Sequence, residues 1–242
     1  MIAIQSTQKI STEWLNAFLP LAKKGILRCD ETEPGHGDGW GMIAYFQNTQ
    51  PEYLSREPHS AEQDKKIFEQ CTKAVQNNLA HTVLTHFRKI SVGQPAISNT
   101  HPFTYKNWSF CHNGTLYESE KIPLHKLKAY GSTDSERYFL FLMEHLDLKN
   151  PTLSIKNAIQ KFKKNFKYSS LTFLMSDGEQ LFSYRDFDPQ FKDYYTLYHT
   201  QIQNAQIISS EPISIPNTQW QPLENLDLFI TSKNKVQKET LL

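Results

Sequence analysis

Nine short apolar runs rich in β-formers constrain the fold of this chain more than any other feature. They cover residues 1–4, 41–46, 83–87, 108–112, 171–175, 181–185, 195–199, 207–210 and 226–231. Each has the length of a strand and is bounded by turn residues. Four helical stretches lie between them. The first starts at Ser11 as cap, repeats Trp14, Leu15, Phe18, Leu19 and Leu21 at helical spacing, and stops at Gly25. The others cover 61–78, 134–146 and 151–166. Thr133 is the natural cap of the third, with Glu136 at the capping-box position, and its apolar face holds Tyr138, Phe139, Leu142 and His145. Pro151 opens the fourth. Ser176-Asp177-Gly178 reads as a hairpin turn between two strands. No repeat, low-complexity block or linker interrupts the chain. The simplest architecture is one α+β domain over 1–242, with sheets packed between helices, ending in a loose tail at 233–242.

Composition excludes several function classes. At 242 residues with 38% apolar and 12% aromatic content, the chain can bury a substantial core. A formal charge of +1 selects neither nucleic acid nor an acidic surface. Lys161, Lys163, Lys164 and Lys167 read as the solvated face of a helix. Three cysteines, an odd number, argue against a disulfide framework and suit a reducing compartment. Neither a signal peptide nor an apolar run of membrane-span length is visible. The expectation is a cytoplasmic protein with no nucleic-acid or membrane partner.

The chemistry concentrates in loops after strands. His112-Asn113-Gly114 follows an apolar strand, and an Asn amide with the next Gly N–H can aim two donors at one developing negative charge. Arg88 leaves the 83–87 strand, where its guanidinium can fork onto a carboxylate or make a surface ion pair; Ser91 follows in the same loop. Asp134 opens a helix, which by itself only suits the helix dipole but also offers a carboxylate to an ammonium. Gly35-His36-Gly37-Asp38-Gly39-Trp40-Gly41 packs four glycines into seven residues, as a tight turn with Trp40 on the core or as a site wall. It lacks the Lys-Ser/Thr pair of a phosphate loop. Asn99-Thr100-His101-Pro102-Phe103 alone is only a turn. His81, His86, His101 and His112 are dense, but His81 and His86 have the wrong spacing to share a strand face, so no metal site is expected. Cys111 reads as a small buried residue and Cys29 as a bystander in a loop.

In this order, His36-Gly37-Asp38-Gly39-Trp40-Gly41, His86-Phe87-Arg88, Asn99-Thr100-His101-Pro102-Phe103, His112-Asn113-Gly114 and Thr133-Asp134-Ser135-Glu136 resemble a stand-alone class II glutamine amidotransferase. Ser209-Ser210-Glu211-Pro212 followed by Trp220 is similar to the family's C-terminal pattern. The resemblance implies the N-terminal nucleophile (Ntn) hydrolase fold, a four-layer αββα sandwich of two mainly antiparallel sheets. It implies attack on the side-chain amide of glutamine or a γ-glutamyl compound, release of ammonia to an accepting synthase, and hydrolysis of a γ-glutamyl thioester, without cofactor or metal. Arg88, assisted by Ser91, would hold the α-carboxylate and Asp134 the α-ammonium. Asn113 and Gly114 would form the oxyanion hole, where losing one donor costs roughly 10²–10³ in rate. His112 and Trp40 complete the substrate-contacting set.

The chain departs from the family at its front. Family members begin Met-Cys-Arg before a short apolar strand, the Cys being the nucleophile and its α-amine the base. Here Met1-Ile2-Ala3-Ile4 aligns just after that Cys-Arg. One expectation is that the Cys is encoded upstream of Met1 and that the chain as it stands is inactive. A second is a non-catalytic module that keeps the pocket for binding. A displaced nucleophile at Cys29 or Cys111 is the third.

Overall fold

The computed structural model describes residues 1–47, 50–232 and 235–241. In chain order its elements are β1 (Ile2–Ser6), α1 (Thr12–Asn16), α2 (Leu21–Lys24), β2 (Trp40–Tyr45), β3 (Pro51–Glu57), α3 (Lys65–Asn77), β4 (Thr82–Phe87), β5 (Phe103–Tyr105), β6 (Trp108–Asn113), α4 (Asp134–Glu144) and α5 (Pro151–Asn165). There follow β7 (Thr172–Ser176), β8 (Gln180–Tyr184), β9 (Tyr198–Ile202), β10 (Ala205–Ser209), β11 (Gln221–Pro222), β12 (Asp227–Ser232) and β13 (Lys235–Thr240). Two antiparallel sheets result. One runs β11-β9-β10-β1-β4-β2-β3 and the other β13-β12-β8-β7-β6-β5.

Strand alternation explains how these sheets stack. Successive side chains leave a strand on opposite faces, so a strand apolar at every position must be covered on both. In β1, Ile2 and Ile4 pack with α1 and α3 residues such as Leu15, Phe68 and Val75, whereas Met1 and Ala3 turn the other way. In β6 and β7, Phe110, Phe173 and Met175 pack with Tyr138, Phe139 and Phe162 of α4 and α5, whereas Cys111 and Leu174 face inward. The inward residues of both sheets meet in a third cluster with Ile43, Tyr45, Leu84 and Ile208. The layers are therefore helix, sheet, sheet, helix, the expected α+β sandwich. The Tyr45 hydroxyl ties the sheets together through Ser109 Oγ and the Ser176 carbonyl, both at 2.8 Å.

Several boundaries differ from the sequence reading. The first helix is two short ones. Ser11 caps α1 as expected, accepting from Glu13 N, but Pro20 interrupts the pattern before α2. Strands β3 and β5 lie outside the expected strands, both at sheet edges. The stretch read as a loose tail instead contains β13, antiparallel to β12, while Lys233, Asn234 and Leu242 lie outside the described residues. Half of the capping box forms. Thr133 Oγ1 accepts from Glu136 N at 3.2 Å, but the Glu136 carboxylate takes the N–H groups of Tyr130 and Gly131. Among the described residues no helix is long and apolar enough to cross a membrane.

Candidate active site

An open cleft lies where β4 and β6 end, beside the start of β1. Arg88, the first residue beyond β4, is fixed there by its backbone. Its N–H donates to the Gly39 carbonyl at 2.7 Å and its carbonyl accepts from Asp38 N at 2.9 Å. Asp38 Oδ2 takes Ile90 N as well, at 2.8 Å. The glycine-rich run thus braces the exit of β4. Gly41 is required at its contact, because a Cβ there would stand 2.4 Å from the His101 carbonyl oxygen. Trp40 is a correction. It is not brought to the cleft but is fully buried against Phe68, with Nε1 donating to Asp64 at 2.9 Å.

The Arg88 side chain is 3% exposed. Among the described residues it donates to the carbonyls of Val92 at 2.9 Å and Gln94 at 3.2 Å. A guanidinium has five N–H donors, so capacity remains for a ligand in the cleft. Burial lowers its pKa, and the carboxylates of Asp38 and Asp134 oppose that shift. Asp134 opens α4 at the same cleft, where one carboxylate oxygen accepts from Leu116 N at 2.7 Å. A buried cation and a buried carboxylate therefore face one space, as two charges must to grip an amino acid by both ends. Ser91 is exposed on the cleft wall.

Asn113 ends β6 and Gly114 follows it, both on the cleft wall. Asn113 Oδ1 lies 3.1 Å from His86 Nε2. The oxygen can only accept, so His86 carries its proton on Nε2 and the Asn113 NH₂ is the end left to donate. Gly114 allows the turn: a Cβ would stand 2.1 Å from the Ser170 carbonyl oxygen and 2.6 Å from His112 Nε2. His112 lines the cleft with both ring nitrogens already engaged, Nε2 donating to Ser170 O at 3.0 Å and Nδ1 accepting from Ser135 Oγ at 2.9 Å. Its first effect is to hold the wall rather than to touch a ligand. Burial lowers its pKa, with Asp134 opposing.

Chain pairing delivers the start of β1 to the same cleft. Ile2 stands opposite Thr85 and Ser209, so Met1 lies beside His86 and Ser210. The Met1 amine donates to Ser210 Oγ at 2.9 Å, and Ser210 N to the Met1 carbonyl at 2.9 Å. Burial pushes this amine from 8.0 down to about 6, so an amine standing here is neutral at pH 7. Neither Cys111 nor Cys29 lines the cleft. Cys111 is buried between the sheets, with its thiol pKa raised by burial, and Cys29 is exposed. A further cluster, the partly to fully exposed Glu57, His59 and Asp64, brings ligand-type atoms within 4.8 Å of one another. There His59 Nδ1 already pairs with Asp64 at 2.8 Å.

Against known proteins, the family model for class-II glutamine amidotransferases matches residues 21–198. The chain belongs to this family. A Haemophilus influenzae relative named "Putative glutamine amidotransferase" is 34% identical over 158 residues, 62% of this chain and 52% of that protein. The chain spans about half the length of the curated relatives it matches. Among solved structures, the fold is similar to a glutamine aminotransferase class-II domain protein from Silicibacter pomeroyi, with a TM-score of 0.65, 18% identity, and 100% and 98% of the two chains covered. It is also similar to the glutamine phosphoribosylpyrophosphate amidotransferase of B. subtilis, with a TM-score of 0.70, 14% identity, and 100% of this chain on 49% of that one.

As a class-II glutamine amidotransferase domain, the chain brings Arg88, Ser91, His112, Asn113, Gly114 and Asp134 to one cleft and leaves Trp40 out. His86, His101 and Ser210, which stand in the quoted motifs without an indicated role, also line the cleft. His86 and His101 stack with ring centroids 4.2 Å apart. Their signal was available in the His-Phe-Arg and Asn-Thr-His-Pro runs, but spacing alone cannot tell a wall residue from a turn residue.

Proposed function

We propose that this cleft binds glutamine or a γ-glutamyl amide and supports its hydrolysis. Arg88, with Ser91 at its side, holds the α-carboxylate and Asp134 the α-ammonium. The Asn113 side chain and the Gly114 N–H receive the oxyanion. The nucleophile is a cysteine preceding Met1, whose own amine takes the thiol proton. Its sulfur attacks the side-chain carbonyl carbon, the C–N bond breaks, and the amine leaves with that proton. Water then cleaves the thioester to glutamate. Ammonia released from glutamine passes to a synthase that accepts it.

One observation carries this reading: a buried cation, a buried carboxylate and an oriented amide come from three separate segments and line one cleft.

The test has two parts. Calorimetry of this chain with glutamine and glutamate should detect binding that Arg88→Ala weakens at least tenfold, since a charged hydrogen-bonded pair contributes about 1.5–3 kcal/mol. A chain extended upstream through its encoded Cys should release glutamate. Unchanged glutamine binding by the folded Arg88 variant sinks the substrate assignment. Binding without turnover by the extended chain turns the protein into a binding module.

A further inference from the structure

The two charged grips come from different parts of the chain, and one side chain joins the loops that carry them. Asn99, 4% exposed, donates through Nδ2 to the Gln94 carbonyl at 2.9 Å and to Ser132 Oγ at 3.1 Å. Its Oδ1 accepts from Ser132 N at 2.8 Å. The Gln94 carbonyl is also a partner of the Arg88 guanidinium. Ser132 directly precedes Thr133, the cap of the helix that Asp134 opens.

Both loops close on Asn99 through glycine. A Cβ on Gly93 would stand 3.1 Å from Asn99 Nδ2, and one on Gly131 would stand 2.5 Å from its Oδ1. Gly93 also has φ +81°, a conformation that L side chains rarely adopt. The approach is therefore built in on both sides.

We propose that Asn99 is a positioning residue for the amino-acid site. It fixes the separation of Arg88 and Asp134 by clamping the 91–95 loop to the 130–133 loop. This rests on the reading of the cleft as a glutamine site. The carboxamide suits the task because it donates in one direction and accepts in another, so it satisfies a carbonyl on one loop and an N–H on the other. An aspartate in its position keeps the acceptor for Ser132 N but has no donor for Gln94. Asn99→Asp therefore frees the Arg88 side but keeps the Asp134 side, where its carboxylate accepts from Ser132 N and, with the hydroxyl turned, from Ser132 Oγ, whereas Asn99→Ala frees both.

The experiment is a chemical-shift titration of the whole chain with glutamine and with 4-aminobutanamide, which keeps the amine and the amide but has no α-carboxylate. Thermal melts confirm that each variant is folded. Asn99→Ala should weaken glutamine about tenfold, and Asn99→Asp about fivefold, the scale of one lost hydrogen bond. The affinity of Asn99→Asp for 4-aminobutanamide should stay within twofold of the parent, because that ligand never uses Arg88. Equal weakening of both ligands by Asn99→Asp, or glutamine binding within twofold of the parent in folded Asn99→Ala, overturns the proposal and leaves Asn99 a structural residue. If Asn99→Ala does not fold, Asn99→Asp decides. A parent chain that binds no glutamine overturns the substrate reading and takes this proposal with it.

Discussion

At Gly114 the wall of the cleft leaves no room for a side chain. The backbone passes so close to Ser170 that a Cβ would stand 2.1 Å from its carbonyl oxygen, a backbone atom that cannot rotate away. It would also press on His112 Nε2, the proton that bonds the same carbonyl. Gly114→Ala must therefore push β6 away from the 168–170 segment and break the His112–Ser170 bond. The expected result is a loss of stability of about 1–3 kcal/mol, as for overpacking, together with loss of glutamate release by the Cys-extended chain. Urea unfolding and the glutaminase assay check both. A variant with parental stability would mean that the backbone relaxes there at no cost. This crowding is not written in the sequence: His-Asn-Gly indicates a turn with donors, not what lies opposite. Trp40 shows the reverse error. Its place in a glycine-rich run suited a site wall, but its large apolar ring found a full set of core neighbours and Asp64 for its indole N–H.

At the scale of elements, legibility follows burial. Strands β1, β2, β4, β6, β7 and β10 are buried along nearly their whole length, and their apolar runs marked them to within two residues. Strands β3 and β13 are half-buried to exposed edges, where hydrogen bonding to a single neighbour is satisfied by polar sequences, so no hydrophobic pattern announced them. Helix α4 was legible from its cap, and the cap has a consequence for the site. Because the Glu136 side chain is committed to Tyr130 and Gly131, it does not compensate at the N-terminus of α4 if Thr133 is lost. Thr133→Ala should destabilise the protein by about 1 kcal/mol. For a chain of this size that lowers Tm by roughly 2–4 °C. It should also weaken glutamine, since Asp134 is the first residue of the helix. An unchanged Tm would show that the cap bond adds nothing to the neighbouring contacts.

For the molecule as a whole, the sandwich puts the cleft at the end of its two sheets and surrounds it with neutral histidines. Burial lowers the pKa of His86 and His101 well below 6.5, lowers that of His112, and brings His36 down to about 3. The facing cations Lys89, Arg88 and Arg56, and the Met1 amine where it is protonated below about pH 6, push in the same direction at His36, His86 or His101. In the unfolded chain these rings titrate near their ordinary value, about 6.5. Below that pH the unfolded state therefore binds protons that the folded state refuses, and stability falls as pH falls. Each histidine held neutral contributes about 1.4 kcal/mol of loss per pH unit below its unfolded pKa. The Met1 amine, lowered from 8.0 to about 6, adds a loss of the same sign between those values. The urea midpoint should thus decline gently from pH 8 to 7 and steeply from pH 6.5 to 5. That is above the range in which paired carboxylates such as Glu144, held low by three backbone N–H groups, begin to protonate. Ring-proton chemical shifts of His36, His86 and His101 should meanwhile keep their neutral values down to pH 5. A midpoint that is flat between pH 7 and 5, or ring shifts that titrate near 6.5 in the folded protein, would mean that the cleft admits charge to these rings and that its walls are wetter than their packing implies.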